Sequence, residues 1–195
     1  MFNDKYSLTQ AVLDGRKTMT RRISKEQIRN SVFWKSGYES IHGYEIKPIY
    51  KISELVAIAQ CYESLGMNPE IALNDRDGIG FYTKTKFAPG WKNKMFVRAD
   101  LMPHHIRITN IKIERLQDIS DEDCLREGVE LNTRQYEYDG TKKYCVCGLG
   151  HWRAIGCTDF DTPREAFAAL IDKVSGKGTW ESNPYVFVYE FELID

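Results

Sequence analysis

Ten residues near the start of the chain, Leu13-Asp14-Gly15-Arg16-Lys17-Thr18-Met19-Thr20-Arg21-Arg22, gather four cations and two hydroxyls behind a glycine. Clustered ammonium and guanidinium groups suit a polyanion. A threonine hydroxyl beside a lysine suits a polar active site, because a desolvated amine can take the proton that keeps the hydroxyl a weak nucleophile. The plainer alternative is that Arg16, Lys17, Arg21 and Arg22 follow a helix C-terminus, complement its dipole and stay solvated.

The elements around this segment decide which side chains it presents. Ser7-Leu8-Thr9-Gln10 reads as a capping box, with Ser7 on the first turn and Gln10 reaching back. Leu8, Ala11 and Val12 follow as an apolar stripe at helical spacing, and Gly15 supplies a left-handed stop. Lys17, Thr20 and Arg22 therefore leave a constrained helix exit.

The run Gly-Arg-Lys-Thr-x-Thr-x-Arg after a short amphipathic helix resembles the signature of the ASCH domain, a small β-barrel of the PUA-like superfamily. Two further stretches are similar to ASCH proteins of phages and prophages: Ile111 to Gly128, as a strand followed by a helix, and Gly176 to Phe191 near the end. The resemblance implies an α+β fold, a small PUA-like barrel with short helices and inserted loops. It also implies a ligand, RNA or a nucleoside. One branch of the family is similar to amidohydrolases that deacetylate N4-acetylcytidine. Carried over by position, its lysine, threonine and glutamate fall on Lys17, Thr20 and Glu127 as catalytic residues. In that reading Glu127 orients Lys17 or shuttles a proton, and Arg22 stabilises the oxyanion. In the binding reading Arg16, Lys17, Arg21 and Arg22 hold the ligand's phosphates while aromatics stack on bases. Lys17 and Glu127 as a structural ion pair, and a non-catalytic phage protein-interaction module, are the remaining alternatives. The resemblance implies no metal and no cofactor.

Composition narrows the classes. The 195 residues fit one domain, with a loop insertion expected at 63–93 and a hairpin insertion at 131–158. The net charge of -1 means that any nucleic-acid affinity must come from a local basic patch. No run is apolar enough to span a bilayer, and no secretory pattern opens the chain. With five cysteines, an odd count, the expectation is a reducing cytoplasm.

Local patterns set further expectations. A hairpin is expected across Ser36-Gly37 or His42-Gly43, and Leu55 to Tyr62 reads as a buried strand. Met95-Phe96-Val97 reads as another. The alternation of His105 to Thr109 slips at Asn110, as a β-bulge would make it. Ser120 caps a helix that Gly128 ends, with Ile119 and Cys124 as a staple, Leu125 inward and Glu127 in an exposed last turn. Tyr136 to Cys147 reads as a hairpin around Asp139-Gly140. Thr162-Pro163-Arg164-Glu165 starts a helix whose apolar stripe is Phe167, Leu170, Ile171 and Val174, ending at Gly176. Tyr185 to Leu193 is a strand whose aromatics pack in the core. Cys145, Cys147, His151 and Cys157 have the chemistry of a zinc site without the common spacing. His104 and His105, adjacent on a strand, point to opposite faces and make poor co-ligands.

Overall fold

The computed structural model describes residues 2–24, 38–39, 45–67, 89–149 and 158–194. Their helices are α1 (Leu8–Leu13), α2 (Asp121–Arg126), α3 (Thr133–Asp139), α4 (Pro163–Ser175) and α5 (Thr179–Ser182). Their strands are β1 (Met19–Ile23), β2 (Tyr38–Glu39), β3 (Glu45–Ile46), β4 (Leu55–Ala57), β5 (His105–Arg115), β6 (Glu130–Leu131), β7 (Tyr144–Cys145) and β8 (Tyr185–Leu193). Helix and sheet are mixed, and the main sheet is curled with the order β1-β8-β5-β4. β1 pairs antiparallel with β8, Met19 opposite Glu190 and Ile23 opposite Val186. β5 and β8 also run antiparallel, since Ile194 N donates to His105 O at one end and Leu116 N to Pro184 O at the other.

The residues fall into two compact units. The larger comprises Asn3–Glu54 and Arg107–Leu193. Its core is built on β8, where Val186, Phe187, Val188 and Tyr189 are all buried, so this strand is covered on both faces. Phe187 and Tyr189 stack at 6.2 Å, Tyr50 meets Tyr189 edge-on at 5.4 Å, and the Tyr189 hydroxyl accepts from Ile49 N at 2.9 Å. The aromatics of this strand thus pack inward, as their alternation suggests.

Capping chemistry fixes the helices of this unit. The Ser120 side chain accepts from Asp123 N, and Gly128 takes φ +104 just beyond α2. Thr162 and Glu165 form a reciprocal capping box at the start of α4, with Pro163 in its first turn. Phe167, Leu170 and Ile171 are buried on α4, but Val174 in its last turn is exposed. Leu125 is likewise turned out rather than in, while Ile119 and Cys124 are fully enclosed. Ser7 behaves differently from its sequence pattern. It closes a 3-10 turn, Asp4–Tyr6, in the left-handed region, so its hydroxyl leaves the helix axis and donates to Cys147 Sγ at 3.2 Å. Gln10 reaches forward to Asp14 instead of back.

One segment of this unit differs from expectation. Glu130–Leu131 pairs with Tyr144–Cys145, and α3 occupies the residues between them, ending at Asp139. The strand partner of Tyr144 therefore lies before the helix, and Asp139-Gly140 is a helix exit rather than a hairpin turn. β2 and β3 pair antiparallel as a hairpin across His42-Gly43 requires, and the connecting residues 40–44 lie outside the described residues, as does Ser36-Gly37.

The smaller unit comprises Met1–Phe2, Leu55–Ile106 and Ile194–Asp195. Here the expected strand from Leu55 to Tyr62 is regular only over Leu55–Ala57, and Leu55 is exposed while Ile58 and Tyr62 are buried. Tyr62 holds the unit together: its hydroxyl accepts from Arg98 N at 2.8 Å and its ring packs on Gly90. Lys94–Phe96 is a 3-10 turn rather than a strand, because Asn93 accepts from Met95 N and curls the chain; Met95 and Phe96 are exposed. Of the insertion expected at 63–93, residues 68–88 lie outside the described residues.

Candidate functional site

The backbone around Lys17 is pinned on three sides. Gly15, at φ +73, turns the chain out of α1, and Lys17 N then donates to Ala11 O. Thr18 N donates to Arg126 O at 3.0 Å, and Thr18 O accepts from Phe191 N at 2.9 Å. The Arg126 side chain returns to the Thr18 hydroxyl at 3.2 Å and binds Glu190 at 2.8 Å. The C-terminal end of α2 is thereby stitched to the segment entering β1. Gly128 permits this approach, since a Cβ there would stand 3.0 Å from Leu8 Cδ2 and 3.7 Å from Lys17 Cδ.

That stitching brings Lys17 and Glu127 together. Lys17 Nζ donates to Glu127 Oε2 at 2.6 Å and to the Glu127 carbonyl at 2.7 Å. Both residues are almost closed to solvent, at 2% and 4% exposure. Glu127 is therefore not in an exposed last turn. The left-handed Gly128 folds it inward, and two cations offset the unfavourable end of the helix dipole.

The second cation is Arg21. It sits on the buried face of β1 with Met19, and a guanidinium there needs partners. Its Nη1 reaches Glu127 Oε1 at 3.2 Å, its Nη2 reaches Asp123 Oδ2 at 2.9 Å, and its Nη2 and Nε reach Glu114 Oε1 at 2.6 and 3.0 Å. Lys112 Nζ closes the rim on Glu114 at 2.9 Å. Desolvation opposes the charge on Arg21, but Glu127, Glu114 and Asp123 outweigh it and raise its proton affinity. Lys17 goes the other way. Burial lowers the proton affinity of its amine, Glu127 opposes that, and Arg22 and Arg21 add to the lowering.

The remaining residues of the motif divide by strand geometry. Thr20 and Arg22 lie on the opposite face of β1 from Arg21, across from Tyr189 and Phe187 of β8, and both are half-buried. No hydrogen bond joins the Thr20 hydroxyl to Lys17 or Glu127 among the described residues. Arg16 turns outward, pairing with Glu130 and, at 2.9 Å, with Asp14. Pairs as exposed as these contribute about 0–1 kcal/mol.

The sequence offers Arg21 as a ligand contact and gives no sign of Glu114 and Asp123, which the structure sets against its guanidinium. The available signal was Arg21 at period two from Met19, which marks a charged group on a core face. Around the cysteines, Cys145 is buried and Cys147 exposed, while His151 and Cys157 lie outside the described residues. Among the described residues no group of histidine, cysteine, aspartate and glutamate side chains is arranged to hold a metal, and no helix is long and apolar enough to cross a membrane. Comparison with protein-family models, with curated proteins and with solved structures gives no match to this chain.

Proposed function

We propose that this chain is an ASCH-type protein with a PUA-like barrel whose site takes a nucleoside and hydrolyses an N-acyl amide on it. The observation that carries this reading is the buried lysine with a lowered proton affinity, its Nζ 2.6 Å from the Glu127 carboxylate. Burial that lowers the proton affinity of an amine makes it readier to give up its proton, which an acid–base step requires. In this reading Thr20 is the nucleophile and Lys17 takes its proton as the hydroxyl attacks the acyl carbon. The same proton then goes to the departing cytosine amine, and water releases the acyl group. Glu127 holds Lys17 in place, and Arg22, on the Thr20 face, stabilises the oxyanion. Because Thr20 lies on the face of β1 opposite to Arg21 with no hydrogen bond to Lys17 among the described residues, this step requires the substrate or a water molecule to carry the proton between them.

The reading in which Arg16, Lys17, Arg21 and Arg22 grip the phosphates of RNA has less support. Arg16, Lys17 and Arg21 already face carboxylates, and a phosphate would have to displace Glu127, Glu114, Asp123 or Glu130. The test is incubation of the purified protein with N4-acetylcytidine. Release of cytidine and acetate is expected, with loss of turnover in Lys17→Ala and in Thr20→Ala while both variants remain folded. No cytidine at high enzyme concentration sinks the amidohydrolase. RNA retention at low salt that disappears in Lys17→Ala plus Arg22→Ala would then favour the binding role.

A further inference from the structure

Arg21 lies outside the three positions that the ASCH resemblance marks, yet it has the richest set of partners in the site. It is anchored on Glu114 from β5 and on Asp123 from α2, and with the remaining corner of its guanidinium it meets Glu127. The two oxygens of Glu127 are thus divided, Oε2 to Lys17 and Oε1 to Arg21. We infer that Arg21 is a positioning residue: by taking one oxygen of Glu127 it fixes the carboxylate toward Lys17 Nζ and leaves Lys17 only part of its negative charge. This rests on the reading that Lys17 works as a base. A carboxylate held wholly by Lys17 would keep the ammonium protonated; one shared with a permanent cation lets the amine go neutral more readily.

The charges that face Lys17 are consistent with that role. Glu127 comes from the turn after α2, and Arg21 and Arg22 come from β1. Behind them stand Asp123 and Arg126 from α2, Lys112 and Glu114 from β5, and Glu190 from β8. Glu114 and Asp123 do not touch Lys17 in this arrangement. They hold the guanidinium that does the sharing.

The inference is tested by following the protonation of Lys17 directly, with lysine-labelled protein and NMR across a pH titration, the signal being assigned by its loss in Lys17→Met. Arg21→Gln should move the Lys17 midpoint upward, because Glu127 then belongs to Lys17 alone. Arg21→Lys, which keeps the charge, should return it toward the wild-type value. Glu114→Gln should move it downward, because one negative charge is lost while Arg21 stays. A change that merely loosens the packing hydrates Lys17 and raises its midpoint in every variant, so the opposite signs separate positioning from a structural role. No upward shift in Arg21→Gln, or a rise in all three variants, overturns the inference. Should Arg21→Gln not fold, the Glu114→Gln arm decides: a fall supports the inference, and a rise or no change overturns it. Because proton binding is read rather than turnover, a protein inert toward N4-acetylcytidine counts against the amidohydrolase alone.

Discussion

Buried charges are costly to strip of a single partner, and the site offers two removals with unequal consequences. Arg21→Met would leave Glu114, Asp123 and Glu127 facing one another in a closed space, and a loss of about 3–5 kcal/mol in urea unfolding is expected. Lys17→Met leaves Glu127 still held by Arg21, so its cost should be clearly smaller. Equal losses would mean that Glu127 depends on both cations alike. Cys124 supplies a separate check on α2. Burial pushes its thiol up to about 12, so iodoacetamide should leave it unmodified in the native protein near neutral pH while the exposed Cys147 reacts. Alkylation of both at one rate, read by mass spectrometry of peptides, would show that α2 opens readily.

At the level of elements, the two capped helices should respond differently to the same kind of change. Ser120→Ala and Thr162→Ala each remove a side chain that accepts a first-turn amide, at about 1 kcal/mol apiece. Only Ser120→Ala frays the helix that carries Asp123 and leads into Glu127, so only that variant should lower the N4-acetylcytidine turnover expected under the proposed function. A larger effect is expected at Gly148, where φ is +81 and a Cβ would fall 2.1 Å from the Lys5 carbonyl oxygen. Gly148→Ala should lower the melting temperature more than either cap variant. The caps were legible in the sequence because Ser120, Thr162, Gly128 and Gly176 act on neighbours within four residues. Strand β8 was legible because a nine-residue run of aromatic and branched side chains has one good solution. Met95-Phe96-Val97 and Asp139-Gly140 were not, because short apolar or turn-like stretches take their conformation from partners distant in sequence. Glu127 shows the same limit at the site. Its place beside Lys17 came only with the resemblance, and its burial depends on Arg21, which no local pattern ties to it.

For the molecule as a whole, near-zero net charge conceals strongly paired groups whose titration should be visible. Glu190 is an example: the hydrogen bond from Arg126, helped by Asn110, holds its carboxyl below the ordinary 4.5. Its contribution is present above pH 4.5 and is lost as the pH falls through its lower folded value. Thermal melts in that acid range should fall less steeply for Glu190→Gln than for the wild type; identical slopes would show that the pair with Arg126 adds nothing. Lys17 has the opposite sign. Its folded affinity for a proton is lowered, so its burial costs stability at neutral pH and the cost fades as the pH rises toward 10.5. The pairing of β1 with β8 has a consequence for how the chain is made. Lys17 leaves the ribosome more than a hundred residues before Glu127, and the strand that fixes Thr18 through Phe191 follows later still. Throughout that interval Met19 and Arg21 lack the strand that pairs with them in the finished fold. The segment that carries the site's cations gains its strand partner only when β8 has emerged, so a nascent chain stalled before Tyr185 carries every cation of the motif with no completed site.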